Sequence, residues 1–342
     1  MLDISLCYFW DCWHYYLDTG DAETLRELYP KLRKLAAYFQ RQRGKDGLLP
    51  VENLGTPNVW MDHDAYRRQR HKQCGYNLLA AAVFEHALPP LARLAGEDAD
   101  ARAFAREGRR FREAAARAFW CSKRKLFVNN LPWLKEEKQP RLCDLSLAFA
   151  LLYGQCPGGQ TRAALQTLVK PPVELGRSYL ANSNWRLWAL GAHGRMDVVL
   201  RELRRTWAAM DCVRLNNSIG ELFKLRPDCV EQWGHDGVVP LFSLLWDMAG
   251  LRPLEPGYKR ILVNPQLGGL KELELTVHTP HGPLLFAAEP TRGGHRVRLE
   301  LPADCAGELR SGGGTVLAGG TTQQPLVKRA ELSRGWKGAF YC

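Results

Sequence analysis

The sequence predicts a mainly α chain, a ring of helical hairpins closed by a small antiparallel β domain. Three observations carry this expectation. Apolar residues recur at helical spacing up to about Ala249, the joints between these runs are short and contain glycine, and the pattern changes to alternation beyond Pro253.

Taken in order, the first helix is expected around Leu6 to Leu17. In the second, Leu25, Leu28, Leu32, Leu35, Ala36 and Phe39 share one face, Gly44 stands just beyond as a stop, and Pro30 is expected to kink or restart the run. Further runs follow at Leu78 to Leu94, Phe104 to Phe119, Leu145 to Leu152, Ala163 to Leu168, Trp185 to Leu190, Val199 to Met210 and Val238 to Ala249, which makes about nine helices. The joints Thr19-Gly20-Asp21, Gly96-Glu97-Asp98 and Gly194-Arg195-Met196-Asp197 predict a glycine stop and an aspartate cap for the next helix. Strand signals are nearly absent in this part, so an α/β layout is not expected.

The character changes at Pro253-Leu254-Glu255-Pro256-Gly257. Beyond it, short strands are expected at Lys259 to Val263, Glu272 to Thr279, Pro283 to Ala288, His295 to Leu301 and Gly307 to Leu309. Val297, Leu299 and Leu301 against Arg296, Arg298 and Glu300 is the cleanest alternation. The predicted domains are 1–253, helical, and 254–342, a β sandwich.

The bulk properties exclude several classes. A length of 342 residues suggests about two domains or one large barrel-like one. With 46% hydrophobic and 24% charged residues the chain has the apolar area for a core, which excludes disorder. No run approaches the roughly 20 apolar residues of a spanning helix, and Met1-Leu2-Asp3-Ile4-Ser5 lacks a signal peptide's basic start, so a cytoplasmic protein without a membrane partner is expected. The net charge of +11 comes from arginines scattered along helical runs, as at Arg102, Arg106, Arg109, Arg110, Arg112 and Arg117. A solvated face accounts for them, and no nucleic-acid partner is expected. The ten cysteines contain no C-x-x-C pair and read as buried free thiols.

Tyr16-Leu17-Asp18-Thr19-Gly20-Asp21 through Leu28-Tyr29-Pro30, Asp46-Gly47-Leu48-Leu49, Trp60-Met61-Asp62 and Asn77-Leu78-Leu79 resemble the six-hairpin glycosidases, which share an (α/α)6 barrel. Gly250 to Tyr258, Asn264-Pro265-Gln266, Thr276 to Gly282 and Leu299 to Ala303 are similar to the barrel exit and C-terminal β domain of bacterial α-L-rhamnosidases of glycoside hydrolase family 78. The resemblance implies an (α/α)6 toroid, a carbohydrate substrate, hydrolysis without a cofactor, and an upstream Asp-Glu-Arg and Gly-Asp signature carrying the catalytic acid. About nine helices fall short of six hairpins. The expectation is therefore the latter part of such an enzyme or a shortened relative, lacking the N-terminal part of the barrel and open to self-association or a partner chain.

Glycoside hydrolysis needs two carboxyl groups, roughly 6.5 to 9.5 Å apart in inverting enzymes. The candidates are acidic residues in aromatic loops, since sugar rings stack on Trp and Tyr. In Asn216-Asn217-Ser218-Ile219-Gly220-Glu221-Leu222-Phe223, the resemblance implies that Glu221 is the general base; the plainer alternative is a helix-start carboxylate favoured by the dipole. In Asn58-Val59-Trp60-Met61-Asp62-His63-Asp64, Trp60 suits stacking. Asp62 would be the acid by resemblance to glycogen-debranching and related α-glucosidases, a holder of sugar hydroxyls by the rhamnosidase one, or simply a helix cap. In Glu231-Gln232-Trp233-Gly234-His235-Asp236-Gly237, Trp233 and His235 are the binding candidates, Glu231 is an alternative base, and Asp236 reads as a cap. Asn182, in Asn182-Ser183-Asn184-Trp185, resembles another pocket-lining turn. Trp10, Asp11, Trp13 and His14 read either as pocket aromatics or as core. His63 and His235 lack a clustered third ligand, so no metal is expected.

Overall fold

The computed structural model describes residues 2–50, 59, 61, 72–128, 130–131, 142–173, 175–176, 178, 180–223, 234, 243–292, 294–309, 315–316 and 326–333. The chain divides into two compact units, Met1–Trp13 with Ala22–Ala189 and Phe340–Cys342, and His14–Asp21 with Leu190–Ala339. Its helical part begins with α1 (Leu2–Thr19) and α2 (Ala22–Gln42). Helix α2 runs through Pro30 without the expected restart. Proline removes only one amide donor, while Leu25, Tyr29, Leu32, Ala36 and Phe39 keep one buried face on both sides of it.

Helix α3 (Cys74–Ala82) continues through a π turn (Val83–Ala87) into α4 (Leu88–Leu94). Then come α5 (Asp98–Phe119), α6 (Asp144–Leu152), α7 (Thr161–Val169), α8 (Leu180–Ala192) and α9 (Met196–Glu202), which ends in a second π turn, Leu203–Trp207. The short α10 (Asp211–Asn216) and a π turn at Ser243–Met248 complete the described helices. The glycine stops are where the sequence places them, but Glu97 and Arg195, not Asp98 and Asp197, hold the N-cap positions of α5 and α9. Asp21 accepts the Tyr15 hydroxyl at 2.6 Å, Asp98 lies inside the first turn of α5, and Asp197 is held by Arg195 at 2.9 Å.

Polarity sorts the helices into layers. All nine residues of α3 and all nine of α6 are buried, as expected of inner helices, whereas α2 and α5 bury a single stripe. Helix α5 approaches the π turn so closely at Gly108 that an added Cβ would lie 2.5 Å from the Glu85 nitrogen. There Phe84 meets Phe104 and Phe111, with ring centroids 5.9 and 5.4 Å apart, and Arg112 pairs with Glu85 at 3.2 Å.

Six two-residue strands pin the loops of the first unit: β1 (Lys72–Gln73), β2 (Trp120–Cys121), β3 (Leu126–Phe127), β4 (Asn130–Leu131), β5 (Leu142–Cys143) and β6 (Leu175–Gly176). They pair as β1 with β4, β2 with β3 and, in parallel, β5 with β6.

In the second unit, β7 (Leu251–Pro253), β8 (Arg260–Val263), β12 (Ala306–Leu309) and β13 (Thr315–Val316) form one sheet in the order β13-β12-β8-β7. Strands β9 (Leu273–Thr279), β10 (Gly282–Pro290), β11 (Gly294–Leu301) and β14 (Leu326–Ser333) form another in the order β14-β11-β10-β9. The pairings are antiparallel except β8 with β12. The chain reaches β12 from the other sheet and not through a hairpin, so nothing forces it antiparallel. Ile261 and Val263 of one sheet and Leu284, Phe286, Val297, Leu299 and Leu301 of the other share one core, which makes the sandwich.

Candidate active site

In the first unit the N-terminal ends of the inner helices gather. An added Cβ on Gly75, in the first turn of α3, would lie 3.6 Å from Leu145 and 3.7 Å from Ser146 in the first turn of α6. The parallel pairing of β5 and β6 brings the residues just before α6 and α8 side by side. A buried polar group locks this arrangement. The Asp144 carboxylate accepts the Ser178 amide at 3.0 Å and the Ser178 hydroxyl, and Arg186 of α8 stands 3.7 Å from it while donating to the Leu168 carbonyl at 3.1 Å. Dipoles of parallel helices add at such an end and favour acceptor-rich or anionic groups.

Asn182, on the first turn of α8, is only 7% exposed, and its Nδ2 has no hydrogen-bond partner among the described residues. One turn on, Trp185 meets Phe149 at 5.0 Å and Trp188 at 5.6 Å; Tyr153 stacks on Phe149 and, at 5.0 Å, on Trp10 of α1. His86 stacks over Tyr153 at 6.4 Å, and burial pushes its pKa down. Trp10 is 6% exposed and belongs to this aromatic column.

The Glu221 loop belongs to the second unit. Helix α10 ends at Asn217 in a left-handed conformation (φ 53°), and the Ser218 amide donates to the Cys212 carbonyl at 3.1 Å. Glu221 follows, half-buried and assigned to no helix. The Gly234 amide donates to the Ile219 carbonyl at 2.6 Å. A Cβ on Gly234 would lie 2.8 Å from the Gly220 carbonyl atoms and 2.9 Å from the Glu221 nitrogen, so only glycine lets the two segments cross. Phe223 meets Trp207 edge-on at 6.3 Å.

The backbone at Gly220 and Glu221 therefore meets that of Gly234, distant in sequence. Trp60, Asp62, Glu231, Trp233 and His235 lie outside the described residues. His14 meets Trp246 edge-on at 5.1 Å, and burial pushes its pKa down to about 4. Asp144 and Ser178 carry structural roles that no motif singles out, as does Asp3, whose carboxylate accepts the Met61 amide at 2.7 Å. Among the described residues no group of three His, Cys, Asp or Glu could hold a metal ion, and no helix is long and apolar enough to cross a membrane. Cys7, Cys12, Cys74, Cys121, Cys156, Cys212 and Cys305 are free thiols.

Residues 7–174 match the bacterial alpha-L-rhamnosidase 6 hairpin glycosidase domain, and residues 250–314 match the bacterial alpha-L-rhamnosidase C-terminal domain, in that order along the chain. The chain belongs to the bacterial α-L-rhamnosidase family. The fold of the family is also that of the solved structures it resembles. A GH78 rhamnosidase of Bacillus sp. GL1 superposes with a TM-score of 0.78 at 19% identity over 91% of this chain and 33% of its own. The α-L-rhamnosidase of Streptomyces avermitilis, solved with L-rhamnose, gives 0.64 at 16% identity over 94% and 31%. That of Aspergillus terreus gives 0.66 at 18% identity over 93% and 38%. The chain thus spans about a third of the length of these rhamnosidases. No curated protein is found to match it.

Proposed function

We propose that the chain carries out inverting hydrolysis of a terminal α-linked deoxysugar, an α-L-rhamnoside, with Glu221 as general base. The observation that carries this reading is the crossing of the Glu221 loop over Gly234, whose neighbours in the chain are the aromatic candidates Trp233 and His235. Ionised Glu221 takes a proton from water as the water oxygen bonds to the anomeric carbon. The bond from that carbon to the aglycone oxygen breaks, and an acid, for which Asp62 is the candidate, gives that oxygen its proton. Trp60 and Trp233 offer faces for the sugar ring. His235, Glu231 and the amide of Asn182, which has no partner among the described residues, are the groups for its hydroxyls. No cofactor enters.

The test is hydrolysis of an aryl α-L-rhamnoside, with NMR identifying the first anomer released. Inversion gives the β anomer, and Glu221→Gln should lower kcat by about 10²–10⁴-fold. Full activity in that variant would remove Glu221 from the mechanism.

A second reading, a carbohydrate-binding or assembly protein without turnover, is favoured by the outer face of α1. Ile4 is 51% exposed and Tyr8, one turn further on, 43%. L-rhamnose binding by calorimetry without turnover, with a mass in solution above that of one chain, would favour it. A third, an α-glucosidase-like relative, predicts turnover of an aryl α-glucoside that depends on Asp62.

A further inference from the structure

We propose that the outer face of α5 is a docking surface for an acidic, carboxylate-bearing polysaccharide; that this polymer is a substrate rests on the hydrolase reading. From Arg102 to the end of α5 the exposed positions are Arg102, Arg106, Arg109, Arg110, Arg117 and a single acid, Glu113. Steps of three and four residues keep them within about a third of the helix circumference, along about 22 Å of its length. The opposite face, with Phe104, Phe111 and Phe119, is buried, which turns the arginines outward. Arg110 lies 3.5 Å from Glu107, while Arg102, Arg106, Arg109 and Arg117 make no ion pair among the described residues. Two neighbouring segments extend the face. Helix α2 is pinned beside α5 by Arg33 on Asp100 at 2.9 Å and Arg43 on Glu107 at 2.8 Å, and between these pins in the chain it exposes Lys34 and Arg41. After α5, the turn between β2 and β3 exposes Lys123, Arg124 and Lys125.

Like charges one turn apart repel and weaken a helix, and solubility is served as well by interspersed signs. A continuous basic line is relieved by a polyanion, and its chemistry selects which one. Guanidinium forks take carboxylates in pairs of hydrogen bonds. The arginines stand about one per 5 Å, whereas duplex DNA carries a charge about every 1.7 Å of its axis. A polymer of acidic sugars has at most one carboxylate per ring, a spacing much closer to that of the arginines. None of the exposed positions from Arg102 onward is aromatic, so unpaired bases have no platform to stack on. None is apolar either, as burial in a lipid surface requires.

The experiment compares three chains: the parent, an α5 variant and a control. The α5 variant combines Arg102→Gln, Arg106→Gln, Arg109→Gln and Arg117→Gln, all exposed and all good helix formers. The control removes the same charge from exposed positions of the second unit, by Lys259→Gln, Lys271→Gln, Arg292→Gln and Arg298→Gln. Calorimetry at low salt measures binding to polygalacturonate, to neutral dextran and to duplex DNA. The parent should bind polygalacturonate, should not bind dextran, and should bind DNA more weakly. Salt at about 1 M, which confines charge interactions to about 3 Å, should abolish the binding. The α5 variant should lose about tenfold in affinity and the control less than about twofold. Turnover of an aryl α-L-rhamnoside should be the same in the α5 variant as in the parent. For an acidic polysaccharide ending in α-L-rhamnose its KM should rise about tenfold at unchanged kcat. A parent that does not bind polygalacturonate, or equal losses in variant and control, overturns the docking surface. Tighter binding of DNA overturns its assignment to a polysaccharide, and an unchanged KM for the polymer overturns the substrate role. A parent inactive on the aryl rhamnoside overturns the hydrolase reading instead, and the docking surface is then decided by binding alone.

Discussion

Asn182 and Asp144 are buried at the same end of the inner helices, and they invite opposite expectations. Asp144 is bonded on several sides, and Arg186 beside it is nearly as buried. Removing the carboxylate in Asp144→Ala takes a facing charge from the buried Arg186 guanidinium, so a loss of about 3–5 kcal/mol is expected, read as a fall in the urea unfolding midpoint. Among the described residues the Asn182 amide donor has no acceptor, a state that costs stability by about 1–3 kcal/mol. Replacing it by leucine should leave the chain as stable or more so, while raising KM for the rhamnoside if the donor serves a sugar hydroxyl. A destabilised Asn182→Leu with unchanged KM would mark the amide as structural. Asn182 and Glu221 could be named from sequence because each sits in a motif of its own. Asp3 could not, since what gives it meaning is an amide 58 residues away.

At the level of elements, helices were legible wherever an apolar stripe ran for two turns or more. The runs expected at Leu25 to Phe39, Leu78 to Leu94 and Phe104 to Phe119 lie within α2, α3–α4 and α5. Helix α10 escapes because its six residues bury only Cys212, too few for a period to show. Strand β7 escapes because Leu251-Arg252-Pro253 reads as a breaker, and its order comes from pairing with β8. Close approaches are invisible to any periodicity. Glycine in a helix interior normally lowers stability by about 1 kcal/mol relative to alanine. At Gly108, however, the added methyl would meet the Glu85 backbone at 2.5 Å, and moving α5 off the π turn outweighs the propensity gain. Gly108→Ala should therefore destabilise by about 1–3 kcal/mol, visible as a lower thermal midpoint. Gly234→Ala meets the backbone at Gly220 and Glu221 in the same way, so its expected signature is a loss of kcat exceeding the loss of stability.

For the molecule as a whole, the dependence of stability on pH follows from histidines that fold neutral. Burial pushes His14 from its ordinary 6.5 down to about 4, and pushes His86 in the same direction. Between those two pH values an unfolded chain binds a proton at His14 that the folded chain does not. The slope of unfolding free energy with pH is then positive, and stability falls as pH drops from about 6.5 towards 4. Asp197, held below the usual carboxylate range by its hydrogen bond from Arg195, adds a loss of the same sign at the acid end. Burial pushes Asp11 and Asp18 upward, so these two oppose the trend as they take up protons in the folded state. For His14 alone the effect reaches at most about 3 kcal/mol. His14→Phe keeps an aromatic ring near Trp246 and removes the titration. Urea midpoints at pH 7.5, 6 and 5 should fall steeply for the parent chain and more gently for His14→Phe, so the difference between the two shifts in favour of His14→Phe towards acid. Parallel curves would mean that His14 is protonated in the folded chain as readily as in the unfolded one, and that acid sensitivity arises elsewhere.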